Sequence, residues 1–285
     1  MLTIRPPRAD DAETLGRICY EAFAGVAKAH NFTPDFPNAG IATGLMQRMI
    51  ASPTSFGRVA EVDGALAGSN FMTDDGAIFG IGPITIDPQA QNSGAGAALM
   101  RAVLAHAEEK GAAGVRLVQA GYHMRSLSLY LKLGFEVREH LSCLQGAAIG
   151  ERIEGYAVRA ASPRDADAAN ALCRRVHGHD RAGEVTFAFA NGAPAMVVER
   201  QGRLTGYTTN IAFFGHTVGE TGDDVTALIG AADAFAGPGF LVPSRNGELM
   251  RWCLARGLRI AQSLTLMTMG LYSEPAGAWL PSVLY

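Results

Sequence analysis

The chain has 285 residues, 48% of them hydrophobic, and a formal net charge of −3 from 24 basic and 27 acidic side chains. That length holds one large domain or two medium ones, and no apolar run approaches the roughly 18 residues of a membrane span. The start MLTIRPPRADD lacks the apolar core of a signal peptide, and no block of lysine or arginine supplies the concentrated basic surface that nucleic acid requires. Cys19, Cys143, Cys173 and Cys253 lie too far apart for a readable disulfide framework or zinc pattern, so no metal is expected. These features predict a cytoplasmic protein with no membrane or nucleic-acid partner, acting on a small molecule.

In chain order, the first half reads as a strand at 2–5, a helix at 9–23, a loop and helix to about Ala51, and a hairpin from Gly57 to Met72 turning at Asp63-Gly64. A strand at 78–86 follows, then a helix opening at Gly94, a strand at 114–119, a helix at 126–133 and a last strand from Phe135. This is a mixed α/β order. The second half echoes the first. IRPPRADDAETLGRIC, Ile4 to Cys19, aligns without gaps on VRAASPRDADAANALC, Val158 to Cys173, and AEVDGALAG, Ala60 to Gly68, aligns on VERQGRLTG, Val198 to Gly206. Two copies of one unit are therefore predicted, residues 1–147 and 155–285, joined through QGAAIGERIEG. The ending AWLPSVLY reads as a docked strand or tail, with a homodimer contact as the alternative.

The helix at Gly94 carries the chemistry. Gly94-Ala95-Gly96 leaves its first amides uncovered, while Leu99, Met100, Val103, Leu104 and Ala107 form an apolar stripe below. Such a start suits a phosphate, although a small-residue turn that only packs the helix on its strand explains the glycines as well. Gly82-Pro83 in the preceding strand adds a second signal. Proline cannot donate to a ladder and glycine weakens one, so a bulge or splayed edge is expected, open to an extended ligand. A dinucleotide fingerprint fits poorly, because the next strand ends in RLVQAG with no acidic residue.

ITIDPQAQNSGAGAALM followed by GVRLVQAGYHMRSLSLYLKLGF resembles the GNAT superfamily of acyl-CoA N-acyltransferases. The match carries both the Gln-x-x-Gly-x-Gly/Ala helix start and the later Leu-Tyr-x-Lys-x-Gly-Phe. The pair of halves looks like the tandem group with a degenerate C-terminal domain. The resemblance implies two GNAT-like domains, each a mostly antiparallel twisted sheet with flanking helices and a splayed central strand pair. It implies acetyl-CoA as co-substrate, with Gln91, Asn92, Ser93, Gly94, Ala95, Gly96 and Ala97 around the diphosphate. Ile84, Thr85 and Ile86 would pair with the pantetheine arm, and Ser126 and His123 would line the same slot. His123 stands where the family commonly has Asn, leaving open a pantetheine bond, proton transfer or a loop cap.

Tyr130 would sit near the sulfur, where a phenol, less acidic than a thiol, can protonate the departing thiolate. The alternative for Tyr130 is a tyrosine packed at the end of an apolar helix face. His30, Phe32 and Asp35 in AHNFTPDFPNAG, with Asn70 on the hairpin, would form the acceptor site, unless that segment is only an ordered surface loop. Asp87, Glu61 and His30 are the candidate bases by type.

In the second copy the glycine turn falls at VGETGDDVTALIG, where Glu220, Asp223 and Asp224 would repel a diphosphate, and Cys253 aligns with Tyr130. The reading is direct acetyl transfer, in a ternary complex, to a small primary amine or amino-acid-like acceptor. The alternatives are a CoA-binding regulatory module without turnover and a protein N-acetyltransferase.

Overall fold

The structure, a computed structural model, describes residues 1–191 and 194–284. Strand β1 (Leu2–Arg5) forms the edge of a sheet and pairs with β2 (Ser55–Val62), which forms a hairpin with β3 (Ala65–Thr73). Its turn, Asp63-Gly64, has φ of 51° and 82°, the two left-handed residues that a tight hairpin turn takes up. Between β1 and β2 lie α1 (Ala12–Ala29), which runs on past the predicted end at Phe23, and α2 (Ala39–Ala51). Leu15 and Cys19 of α1 bury against Leu45, Met46 and Phe71. Strand β4 (Ile78–Ile86), α3 (Ala95–Glu109), β5 (Gly114–Ala120), α4 (Met124–Lys132) and β6 (Glu136–Gln145) complete this half. The predicted stripe of α3 buries Met100, Val103 and Ala107 with Met72 and Phe79, so the sheet lies between two helical layers.

After the irregular segment 146–156, the second half opens with β7 (Ala157–Ala160), α5 (Ala166–His177) and α6 (Ala182–Ala190). Strands β8 (Met196–Arg200), β9 (Arg203–Thr208) and β10 (Thr217–Gly219) and helix α7 (Gly222–Ala231) follow. Strand β11 (Phe240–Pro243), α8 (Gly247–Ala255), β12 (Arg259–Gly270) and β13 (Ala278–Leu280) end it.

The sequence repeat has a structural cause. Arg5 bonds Asp11 at 2.7 Å and Glu61 at 2.7 Å; Arg159, at the aligned position, bonds Asp165 at 2.7 Å and Glu199 at 3.0 Å. In both copies one arginine ties the first strand to the first helix and to the hairpin. The second hairpin also turns on a left-handed pair, Gln201 and Gly202, with φ of 53° and 73°. The chain end docks as β13 against β10, and the Val283 amide bonds the Phe213 carbonyl at 2.8 Å. Tyr285, the last residue of the predicted tail, lies outside the described residues.

The two copies exchange strands. The larger sheet runs β1-β2-β3-β4-β5-β12-β6-β11, the smaller β13-β10-β9-β8-β7. Strand β12 enters between β5 and β6, antiparallel to both, and β6 in turn lies between β12 and β11. Leu264 and Leu266 of β12 pack with Leu141 of β6 and Leu241 of β11 in one buried cluster. The open edge of β5 is thereby paired. No helix among the described residues is long and apolar enough to cross a membrane.

Candidate active site

The site begins where β4 leaves β5. The two are parallel partners from Ile78/Gly114 only as far as Ile81/Leu117. Beyond that come Gly82 and Pro83, and the register of β4 against β3 shifts across them, the bulge expected of that pair. From Ile84 to Ile86, β4 keeps β3 on one side, and from Gly82 onward it has no β5 partner on the other. A cavity of about 470 Å³ opens along this gap, within the usual range for small-molecule sites.

The helix start lies in the same cavity. Gly94, at φ 85°, is the residue before α3, and no atom lies within 4 Å of where its Cβ would be. Among the described residues, no acceptor bonds the amides of Gly94, Gly96 or Ala97; the Ala95 amide has a 3.4 Å contact to Ser93 Oγ. Unpartnered amides at the positive end of a helix form a ready anion site. Arg125, at the start of α4, adds a fixed cation. Its guanidinium donates to Gln91 Oε1 at 2.7 Å and Asn92 Oδ1 at 2.8 Å, bridging α4 to the glycine turn.

All of Ile84, Thr85, Ile86, Gln91, Asn92, Ser93, Gly94, Ala95, Gly96, Ala97, His123 and Ser126 line this cavity, as does Tyr130. Thr85 Oγ1 and Gln119 Nε2 are buried without a hydrogen-bond partner. Both residues border the gap, so they offer a ligand one hydroxyl and one amide donor. The oxygen of Gln119 is held by the Ser126 hydroxyl at 2.6 Å, which also contacts the His123 carbonyl at 2.8 Å. His123 precedes α4 but makes no side-chain cap. Burial, with His30 and Arg125 nearby, pushes its imidazole down from its ordinary pKa, so it is neutral at physiological pH. Tyr130 is 5% exposed, and burial raises its phenol, which stays protonated and able to donate. No hydrogen bond to the described residues occupies its hydroxyl.

The predicted acceptor residues divide. Asp35 faces the cavity, and one of its oxygens accepts from Gln262 Nε2 at 3.2 Å. Burial raises its carboxyl and the Gln262 bond partly offsets this. His30 and Phe32 do not line the cavity. They brace it from behind, through ring contacts to Tyr122 at 5.1 Å and 4.3 Å. Asn70 is fully buried and turned away: its amide nitrogen contacts Met100 of α3 at 3.3 Å. The parity of the hairpin, shifted by the bulge between Ala60 and Glu61, puts Asn70 beneath the helix.

Two of the candidate bases are committed elsewhere. Glu61 holds Arg5, and Asp87 accepts the Gln89 amide at 2.8 Å. Residues that the sequence did not single out are Arg125, Gln119 and Tyr122, and, from the second half, Phe213, Phe214, Gln262, Leu264, Val283 and Leu284. Arg125 had a signal, standing beside Ser126 in the same motif. Gln262 had none, because the exchange of β12 brings it to Asp35 from 227 positions away.

The corresponding places in the second half are closed. The start of α7 is capped by its own side chains: Thr221 accepts from the Asp224 amide, and Asp224, fully buried, bonds Thr205 at 2.5 Å and Thr221 at 2.8 Å. Glu220 is held by Arg175 and Arg203. Cys253 is buried in the core.

Residues 30–135 match the acetyltransferase (GNAT) family. That stretch carries the family match, and the whole chain has the fold of a tandem GNAT protein. A tandem GNAT protein from the clavulanic acid biosynthesis pathway superposes with a TM-score of 0.56 at 15% identity, covering 99% of this chain and 100% of its own. A GCN5-related N-acetyltransferase from Sphaerobacter thermophilus gives 0.63 at 14% identity, with 96% of each chain covered. A Pyrococcus horikoshii protein provisionally called an acetyltransferase gives 0.72 at 16% identity, over 100% of this chain and 92% of its own. At these identities the similarity is one of fold. No curated protein matches the sequence. The GNAT match includes the splayed edge of β4, the glycine turn and Tyr130, so the family assignment and the cavity concern the same residues.

Proposed function

We propose that the protein transfers an acetyl group from acetyl-CoA to the primary amine of a small molecule, both bound at once. The observation that carries this reading is one cavity containing the bare amides of α3, the unpaired edge of β4 and the Tyr130 side chain. The amides of Gly94 to Ala97, with Arg125, suit a diphosphate. The free edge at Ile84 to Ile86 suits a pantetheine arm laid down as an extra strand, with Thr85 and Gln119 supplying side-chain donors. A thioester carbonyl beside a free strand amide gains a donor for its developing oxyanion, and Tyr130 gives its proton to the departing thiolate.

Walls from the second half favour a small acceptor over an extended peptide. The self-capped α7 and the buried Cys253 support a second domain that shapes this site without binding CoA itself. Four unpaired, buried cysteines fit a reducing compartment, so we assign the enzyme to the cytoplasm.

The test is acetyl-CoA binding by calorimetry together with mass-spectrometric detection of acetylated products from an amine panel. Binding with time-dependent product is the expected result. Binding without any product would favour the regulatory module.

A further inference from the structure

Three observations narrow the acceptor, given the transferase reading above. First, the acceptor side of the cavity is built from apolar side chains of both halves: Phe23, Phe36, Phe213, Phe214, Leu264 and Val283. Secondly, among the described residues that line the cavity, Asp35 is the only side-chain carboxylate and Arg125, at the glycine turn, the only guanidinium, and none is a lysine. Thirdly, Asp35 is held in a set orientation. Gln262 donates to one of its oxygens at 3.2 Å and accepts the Tyr122 hydroxyl at 3.2 Å on the other end of its amide. Gln262 is 6% exposed and sits beside a bulge of β12, where the register against β6 shifts between Ile260 and Gln262. A bulge re-aims a side chain; here it brings an amide from the second half onto a carboxylate of the first. The second oxygen of Asp35 makes no hydrogen bond to the described residues.

We infer that the acceptor is a lipophilic primary amine without a carboxylate, an ammonium group on an aromatic or aliphatic body, and that Asp35, oriented by Gln262, binds that ammonium and takes its first proton. An amine held as its ammonium has no lone pair for attack, and the carboxylate that anchors it is also in place to take that proton. The neutral nitrogen then bonds the thioester carbon. The C–S bond breaks, Tyr130 protonates the thiolate, and the second nitrogen proton returns to Tyr130. An acceptor that carried its own carboxylate would bury it among the aromatic rings, while the one guanidinium among the described lining residues, Arg125, is engaged at the glycine turn, and such burial is strongly unfavourable.

A matched pair of substrates tests this, because phenylalanine is 2-phenylethylamine with a carboxylate added. With the full-length enzyme and acetyl-CoA, kcat/KM for 2-phenylethylamine is expected to exceed that for phenylalanine at least about 100-fold. Asp35→Asn should lower it by at least about 100-fold for 2-phenylethylamine, with acetyl-CoA affinity and Tm retained. The same variant should retain most of its activity on O-benzylhydroxylamine, which has the same shape and is neutral at neutral pH. Phenylalanine used as well as 2-phenylethylamine would overturn the inference, and so would an Asp35→Asn variant equally impaired on both amines. Wild-type enzyme that binds no acetyl-CoA would instead overturn the transferase reading beneath it.

Discussion

Helices α3 and α7 occupy the same place in two copies of one fold, and their first turns are opposites. At α3 the chain supplies glycine and alanine and leaves the amides of Gly94, Gly96 and Ala97 to the cavity. At α7 it supplies Thr221 and Asp224, whose side chains bond each other's amides and bury a carboxylate beside them. The same backbone geometry is left open to the cavity in one copy and closed by a structural cap in the other. The side chains decide, because an amide already bonded within the protein has nothing to gain from a phosphate.

That contrast can be tested at five positions. The largest effect is expected at Tyr130, whose aligned residue is the buried Cys253. Tyr130→Phe should lower kcat by about 10³-fold while leaving acetyl-CoA affinity nearly unchanged, measured by steady-state kinetics and calorimetry. A parallel loss of affinity would mean that the ring packs the slot and donates no proton.

Gly96→Val comes next. A Cβ at Gly96 meets only Ile86 at 3.7 Å and Leu129 at 3.8 Å, ordinary contacts, so the fold tolerates it while the slot narrows. Acetyl-CoA should bind about 100-fold more weakly, ~2.7 kcal/mol, at unchanged Tm. Gly222→Val at the start of α7, where a Cβ meets nothing within 4 Å, should leave binding alone; if it does not, the second site is not silent.

Asp224→Ala reverses the contrast. It removes the cap of α7 and the partner of buried Thr205, for an expected loss of about 2 kcal/mol of stability in chemical denaturation, with acetyl-CoA affinity intact. The smallest effect is Arg125→Ala, about tenfold in acetyl-CoA affinity with a flatter salt dependence. An unchanged salt dependence would assign Arg125 to bracing Gln91 and Asn92 alone.

Much of this molecule is legible in its sequence. The splay came from Gly82-Pro83, because a proline without an amide cannot complete a ladder. That Gln91 to Ala97 and Tyr130 would lie together was legible too, because helix-start chemistry is local and needs only a few consecutive residues. The acceptor side was legible only in part. Asp35 could be named as an acid in a loop, but His30 and Phe32 turned out to support Tyr122 from behind, and Asn70 is buried beneath α3. Face assignment along a strand is lost when a bulge shifts the parity, and no residue type announces on which side of a loop it will pack.

The sequence by itself determined the repeat of the two copies, the bare helix start of the first and the acidic one of the second. These depend on contacts along short stretches or on a repeat that shows in one dimension. Only the tertiary structure decided that the copies exchange strands. With β12 lying between β5 and β6, Gln262 reaches Asp35 and Leu264 reaches the cavity wall. The physical reason is an edge: β5 parts from β4 after Leu117 and needs a partner on its other side, and the long apolar strand of the second copy provides it.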